Sequence, residues 1–169
     1  HGIVPDMLTF AKGLGNGLAI AGVVARAELM ESLQANSIST FGGNPLATAG
    51  ALANLGYLLE HDLQSNAHKV GQQLQDGLHH LSDEVEEIGE VRGKGLMIGV
   101  ELVERGGNAP AAALTGRVMG AAREHGLLVG KGGLYGNVLR IAPPLSLTEE
   151  EAEAGLSMMR DAITDALPD

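Results

Sequence analysis

The stretch PDMLTFAKGLGNG, residues 5–17, sets the reading of the chain. From Asp6 to Lys12 it alternates Leu8, Phe10 and Lys12 on one face with Met7, Thr9 and Ala11 on the other, the period of a strand. The spacing predicts a strand with Lys12 on its apolar side. An amine kept among apolar groups favours its neutral form, and a neutral amine attacks carbonyl carbons to form a Schiff base. Periodicity alone equally accommodates a strand-end lysine whose stem reaches water. Gly13, Gly15 and Gly17 then force an irregular turn. Ile20 to Arg26 predicts a second, buried strand, and Ala27 to Gln34 a short helix. The opening strand has no partner upstream and is expected at an edge or unpaired.

Working outward, SISTFGGNPLATAGALANLGYLLEHD follows at residues 37–62. Asn44 before Pro45 is a helix start, with Asn as cap and Pro at the first helical position. A helical region is expected from Pro45 to about Glu87, broken near Glu60 to Asp62. Its first half is Ala-rich and free of charge until Glu60, so it is expected to be buried. Its second half carries Leu63, Val70, Leu74, Leu78 and Leu81 among polar residues, an amphipathic pattern. The shift in composition near Glu60 divides the chain into 1–60 and 61–169.

The second part reads as a small α+β unit. Leu96, Ile98, Val100 and Leu102 alternate as a half-buried strand. Ala111 to His125 predicts a helix closed by Gly126. Leu127–Val129 and Asn137–Ala142 are short strands around GKGGLYG. Thr148 with Glu151 forms a capping box, and the helix behind it places Ala152, Leu156, Met159, Ile163 and Leu167 on one stripe.

Composition narrows the function classes. Among 169 residues, 11 basic against 21 acidic side chains leave a net charge of −10, and only 2% are aromatic. Nucleic acid and anionic membrane surfaces are poor partners for that balance. With no cysteine there is no disulfide, thiolate metal site or thiol nucleophile, and no metal site is expected. No apolar run reaches membrane-spanning length, and the cytoplasm is the simplest location. The glycine clusters match neither phosphate-loop nor dinucleotide spacing: GLLVGKG ends in Gly132 where Ser or Thr is required, and Gly13 and Gly15 are followed by Leu18.

Two further residue groups carry chemistry. STFGGNP puts the hydroxyls of Ser39 and Thr40 before a helix N-terminus, where free amides and the helix dipole favour an anion; ordinary capping is the plainer alternative. Arg140, in VLRIAPPL, lies on the strand face opposite Leu139 and Ile141. Its guanidinium fork suits a carboxylate, and a surface ion pair is the plainer alternative.

Together these segments resemble the class III aminotransferases, pyridoxal-phosphate enzymes of fold type I. PDMLTFAKGLGNG resembles the family's lysine segment and STFGGNPLATAGALA its phosphate-contacting segment. VRGKGLMIGVEL and GLLVGKGGLYGNVLRIAPPLSLTEEE resemble its small C-terminal domain, the latter most like the alanine–glyoxylate aminotransferase 2 branch. The resemblance covers nearly the whole chain, in the family's order.

The resemblance implies an α/β fold: the end of the large cofactor domain in 1–60 and the small α+β domain in 61–169. It implies pyridoxal 5'-phosphate as cofactor, with Lys12 as its Schiff-base lysine and proton carrier. It implies that Thr40 contacts the cofactor phosphate across a homodimer interface and that Arg140 binds the substrate carboxylate. The expected reaction moves an amino group from an amino acid to a 2-oxo acid, with alanine and glyoxylate the pair hinted at. In the family the acidic partner of the pyridine nitrogen, the main phosphate loop and the ring-stacking aromatic all precede the lysine segment. The chain is therefore expected to be a C-terminal portion with little activity alone. The alternatives are a non-catalytic dimerising module, or a pyridoxal-phosphate lyase or isomerase on the same scaffold.

Overall fold

A computed structural model of the protein describes residues 2–167, in two compact units divided between Asp62 and Leu63. In the first unit β1 (Met7–Phe10) pairs antiparallel with β2 (Gly22–Ala25), from Met7 opposite Ala25 to Phe10 opposite Gly22. The opening strand thus has a partner, supplied from downstream. The reversal between them passes through left-handed backbone at Asn16 and Gly17. The pairing needs glycine at 22: a Cβ there would lie 2.5 Å from the Phe10 ring.

The strand is also shorter than expected. It stops at Phe10, and Lys12 opens a 3-10 turn over Lys12–Leu14. Helix α1 (Ala27–Met30) likewise stops before Gln34. The Ser32 hydroxyl donates to the Leu29 carbonyl at 2.6 Å, a local bond that competes with continuing the helix.

Helix α2 (Pro45–Glu60) starts where Asn44 and Pro45 predict, the Asn44 side chain accepting from the Ala47 amide at 3.0 Å. The expected break is present, with Asp62 at φ +46°. The expected burial of this helix holds on one face only. Ala47 and Ala51 are buried, whereas Leu46 and Leu52 are each 71% exposed. An apolar helix buries only the faces that another element covers.

The second unit is a four-stranded antiparallel sheet carrying three helices. Its elements are α3 (Leu63–Glu84), β3 (Ile88–Lys94), β4 (Met97–Leu102), α4 (Ala112–Glu124), β5 (Gly130–Gly132), β6 (Val138–Ile141) and α5 (Glu149–Ala166). The sheet order is β3-β4-β6-β5. β3 escapes a reading by alternation because Gly89 and Gly93 interrupt it and Glu90, Arg92 and Lys94 are charged. The strand expected at 127–129 begins at Gly130 instead. The Leu127 amide is taken by the Ala122 carbonyl at 2.8 Å, which ties that residue to the exit of α4.

Leu139 of β6 and Ile98, Val100 and Leu102 of β4 bury one face of the sheet, with Leu78 of α3, Val118 of α4 and Ile163 of α5 in the same core. Gly71 lets α3 lie directly on the β3–β4 turn: a Cβ there would sit 2.3 Å from the Gly95 backbone. The opposite face stays open, and Arg92, Gly99, Arg140 and Gly130 form one row across its four strands.

Candidate functional site

Lys12 is exposed and has a φ of +50°. The left-handed region costs a residue with a Cβ on the order of 1–2 kcal/mol, so surrounding contacts must hold it there. The Leu14 amide donates to the Ala11 carbonyl and the Gly15 amide to the Lys12 carbonyl, both at 3.1 Å. From α2, the Asn54 side-chain amide donates to the Gly13 carbonyl at 2.8 Å and to the Leu14 carbonyl at 3.1 Å. Gly15 is buried, and a Cβ there would lie 2.1 Å from the Leu18 carbonyl oxygen. The apolar strand face expected around Lys12 is absent. The chain leaves the pleat at Ala11, and the amine projects from a turn rather than from a sheet.

Thr40 opens the tight turn before α2, where the Gly42 amide reaches the Ser39 carbonyl at 3.1 Å and Gly43 has φ +65°. Its side chain is exposed and without a hydrogen-bond partner among the described residues. Asn54, which bonds the turn of Lys12, lies well inside α2, whereas the Thr40 turn precedes the first residue of that helix, Pro45. Within one chain the two residues are served by different stretches of α2.

Arg140 lies on the open face of the sheet, as its alternation with Leu139 and Ile141 predicts. On β4 it faces Gly99 and on β5 Gly130. Its Nε and Nη2 both sit 3.2 Å from where a Gly130 Cβ would be, so the guanidinium spreads over a floor with no side chain. Arg92, in the same row, is occupied: it donates to Glu101 at 2.7 Å and to Glu90 at 2.5 Å. The hydrogen bond to Glu101, with the nearby Glu90 charge adding to it, raises its already high pKa. Arg140 has no acidic partner among the described residues. One arginine of the row is paired with two carboxylates, and the other has none within reach among the described residues.

These three groups stand in the order of a known family. The family model for "Aminotransferase class-III" matches residues 1–163. The chain belongs to the class III aminotransferases. An alanine–glyoxylate aminotransferase 2 homolog of Arabidopsis thaliana is 46% identical over 155 residues, 90% of this chain and 32% of that protein. An alanine/serine racemase of Pyrococcus horikoshii is 41% identical over 98% of this chain and 35% of its own length. Among solved structures, a phospholyase from Arthrobacter in complex with phosphoethanolamine superposes with a TM-score of 0.92 at 34% identity, covering 99% of this chain and 40% of that one. The chain thus spans about a third of the length of these curated relatives. Its α/β fold is that of the C-terminal part of these fold type I enzymes.

Pyridoxal 5'-phosphate is the cofactor of class III aminotransferases, and the donor set here fits it. An exposed primary amine at Lys12 suits its carbonyl. A free hydroxyl at Thr40, ahead of a helix N-terminus, suits its phosphate. Space over Gly13 and Gly17, where an added Cβ would meet nothing within 4 Å, leaves room beside the lysine. Asn54 and the pair of glycines beneath Arg140 are not visible by motif spacing. The available sequence signal for Asn54 is a polar residue on the helical stripe of Ala47, Gly50 and Ala51.

Proposed function

We propose that this chain supplies the lysine and the carboxylate-binding arginine of a pyridoxal-phosphate-dependent transaminase that moves an amino group from an amino acid to a 2-oxo acid. In this reading 1–60 is the end of the large cofactor domain and 61–169 is the small domain. One observation carries it: a lysine, rather than a glycine, occupies the left-handed position at the head of a pinned turn. Asn16 and Asp62 share that region, which Asn and Asp tolerate; a lysine there is the costlier choice, and such strain clusters at active sites.

Each of the three side chains has a task. Lys12 would hold the cofactor through its ε-amine and, once the substrate amine has displaced it, would take up the substrate α-proton on that same nitrogen. Arg140 receives the substrate carboxylate in its free fork. Thr40 would donate its hydroxyl to the cofactor phosphate of a partner subunit, in a homodimer; its exposure ahead of the α2 N-terminus supports this. The cofactor, when bound, supplies the electron sink. Alanine and glyoxylate are the proposed pair, supported by the 46% identity to the Arabidopsis relative.

The racemase and phospholyase matches favour a second reading, a different reaction at the same α-carbon. Both readings use Lys12 and Arg140. The natural full-length protein, loaded with cofactor, decides. Borohydride should fix the cofactor onto Lys12, and Lys12→Ala should lose both that adduct and about 10³-fold or more of the turnover. An adduct that persists in Lys12→Ala overturns the assignment. Keto-acid formation from an amino donor supports the transaminase; racemised amino acid or released phosphate without amino transfer supports the second reading. Arg140→Ala should raise KM for carboxylate substrates while leaving carboxylate-free amines little changed.

A further inference from the structure

We propose that Asn54 is a positioning residue that clips the Lys12 turn to α2 and thereby fixes the place from which the lysine amine works. This rests on the reading of Lys12 above and names a residue that reading does not contain.

Ala47, Gly50, Ala51 and Asn54 fall on one stripe of α2. That stripe is cut for close approach: Ala47 and Ala51 are buried, and a Cβ at Gly50 would meet the Leu18 Cδ1 at 2.2 Å. Leu18 closes the same loop, its amide donating to the Gly15 carbonyl at 3.0 Å. Asparagine is a poor residue for the interior of an apolar helix. Here its amide nitrogen has two hydrogens and meets two successive carbonyls, those of Gly13 and Leu14. Both partners are acceptors, so only the nitrogen can face them.

The clip acts at the residues directly after Lys12. The 3-10 turn over Lys12–Leu14 is short, and its own bonds are two amides at 3.1 Å. Such turns have poor hydrogen-bond geometry and rarely persist alone. The two bonds from Asn54 reach across 40 and 41 residues and restrain the carbonyls that the turn leaves outward. Without them the left-handed φ of Lys12 has little to oppose its relaxation, and the amine swings with it. Asn54 touches no reacting atom; it acts through the turn.

Two measurements on the natural full-length protein test this, with Asn54→Leu, which keeps the size and removes both donors, and Asn54→Ser, which keeps one. In the cofactor-free protein the Leu14 and Gly15 amides should exchange with deuterium roughly tenfold faster in Asn54→Leu, the scale of one ordinary hydrogen bond, and by an intermediate factor in Asn54→Ser. Exchange at Val100 and Leu139 should stay as in the wild type. In the loaded protein Asn54→Leu should lower kcat by about tenfold with KM kept. It should also shift the pH at which the absorbance band of the lysine-bound cofactor titrates, with Asn54→Ser partly restoring both. Unchanged exchange at Leu14 and Gly15 overturns the clip. Faster exchange with unaltered kcat and titration reduces Asn54 to a structural role and also overturns the proposal. Borohydride labelling separates this from the reading beneath it: loss of label from Lys12 in the wild type breaks the function assignment, whereas the exchange result stands on its own.

Discussion

In residues 63–167 most large apolar side chains gather in one core, although Met97, Leu128 and Leu134 stay exposed: Leu78, Val100, Leu102 and Leu139 are fully buried between one sheet face and three helices. In residues 2–62 the same kinds of side chain lie outside: Val24, Leu46, Leu52 and Leu59 are all more exposed than buried. Both regions are aliphatic, and both have capped helices and a paired sheet. They differ in layers. A two-stranded ribbon and a helix cannot enclose a core, whereas four strands under three helices can. Local sequence fixes which residues are apolar, and a second layer fixes which of them leave water.

The sharpest way to break this comparison is to separate the regions. Leu63–Asp169 expressed alone should melt in one cooperative transition by circular dichroism, and residues 1–62 alone should show none. A cooperative melt of 1–62 would remove the contrast. Next in size are paired substitutions in the 169-residue chain. Leu78→Ala should cost about 2–5 kcal/mol in denaturant titrations, because it opens a cavity in a closed core. Leu52→Ala should stay within about 0.5 kcal/mol, because its side chain is already in water. Comparable losses would mean that α2 has a covered face which its exposure does not show.

The smallest effect concerns how the second region begins its last helix. Thr148 caps α5, and the Glu151 side chain answers with a bond to the Thr148 amide at 2.9 Å. That backbone bond, with the Thr148 hydroxyl adding to it, holds the Glu151 carboxyl below its usual range. A lowered carboxyl stabilises the fold above its ordinary, unfolded pKa, and the contribution fades as pH falls through the folded value. Thr148→Ala should cost about 1 kcal/mol near neutrality through the lost cap; because its backbone bond to Glu151 survives, only the part carried by the hydroxyl should narrow in acid. A deficit that grows on acidification would reverse the sign.

Much of this was legible along the chain. The Asn44–Pro45 helix start, the break before Leu63, the stripe of α3, the alternation of β4 and the capping box of α5 all rest on residues within a turn or two of each other. The position of Arg140 opposite Leu139 and Ile141 follows from the same period. The lysine segment was legible as a motif but not as a shape: a period of two carried the strand through to Lys12, whereas the chain leaves the pleat at Ala11. β3 is not legible by period, because its glycines serve close packing against its neighbours and leave no alternation to read.

By itself, then, the sequence determined the family, most of the helices, the β4 strand, the three chemical groups and the net negative charge, since each is written in near neighbours, motif order or composition. Only the tertiary structure decided that Lys12 sits left-handed on a turn bonded by Asn54, and that Arg140, without an acidic partner among the described residues, lies over Gly99 and Gly130 while Arg92 is paired. Those facts depend on residues up to 41 positions apart meeting at hydrogen-bond distance, and on the absence of a Cβ from a neighbouring strand. Short-range periodicity carries no term for either.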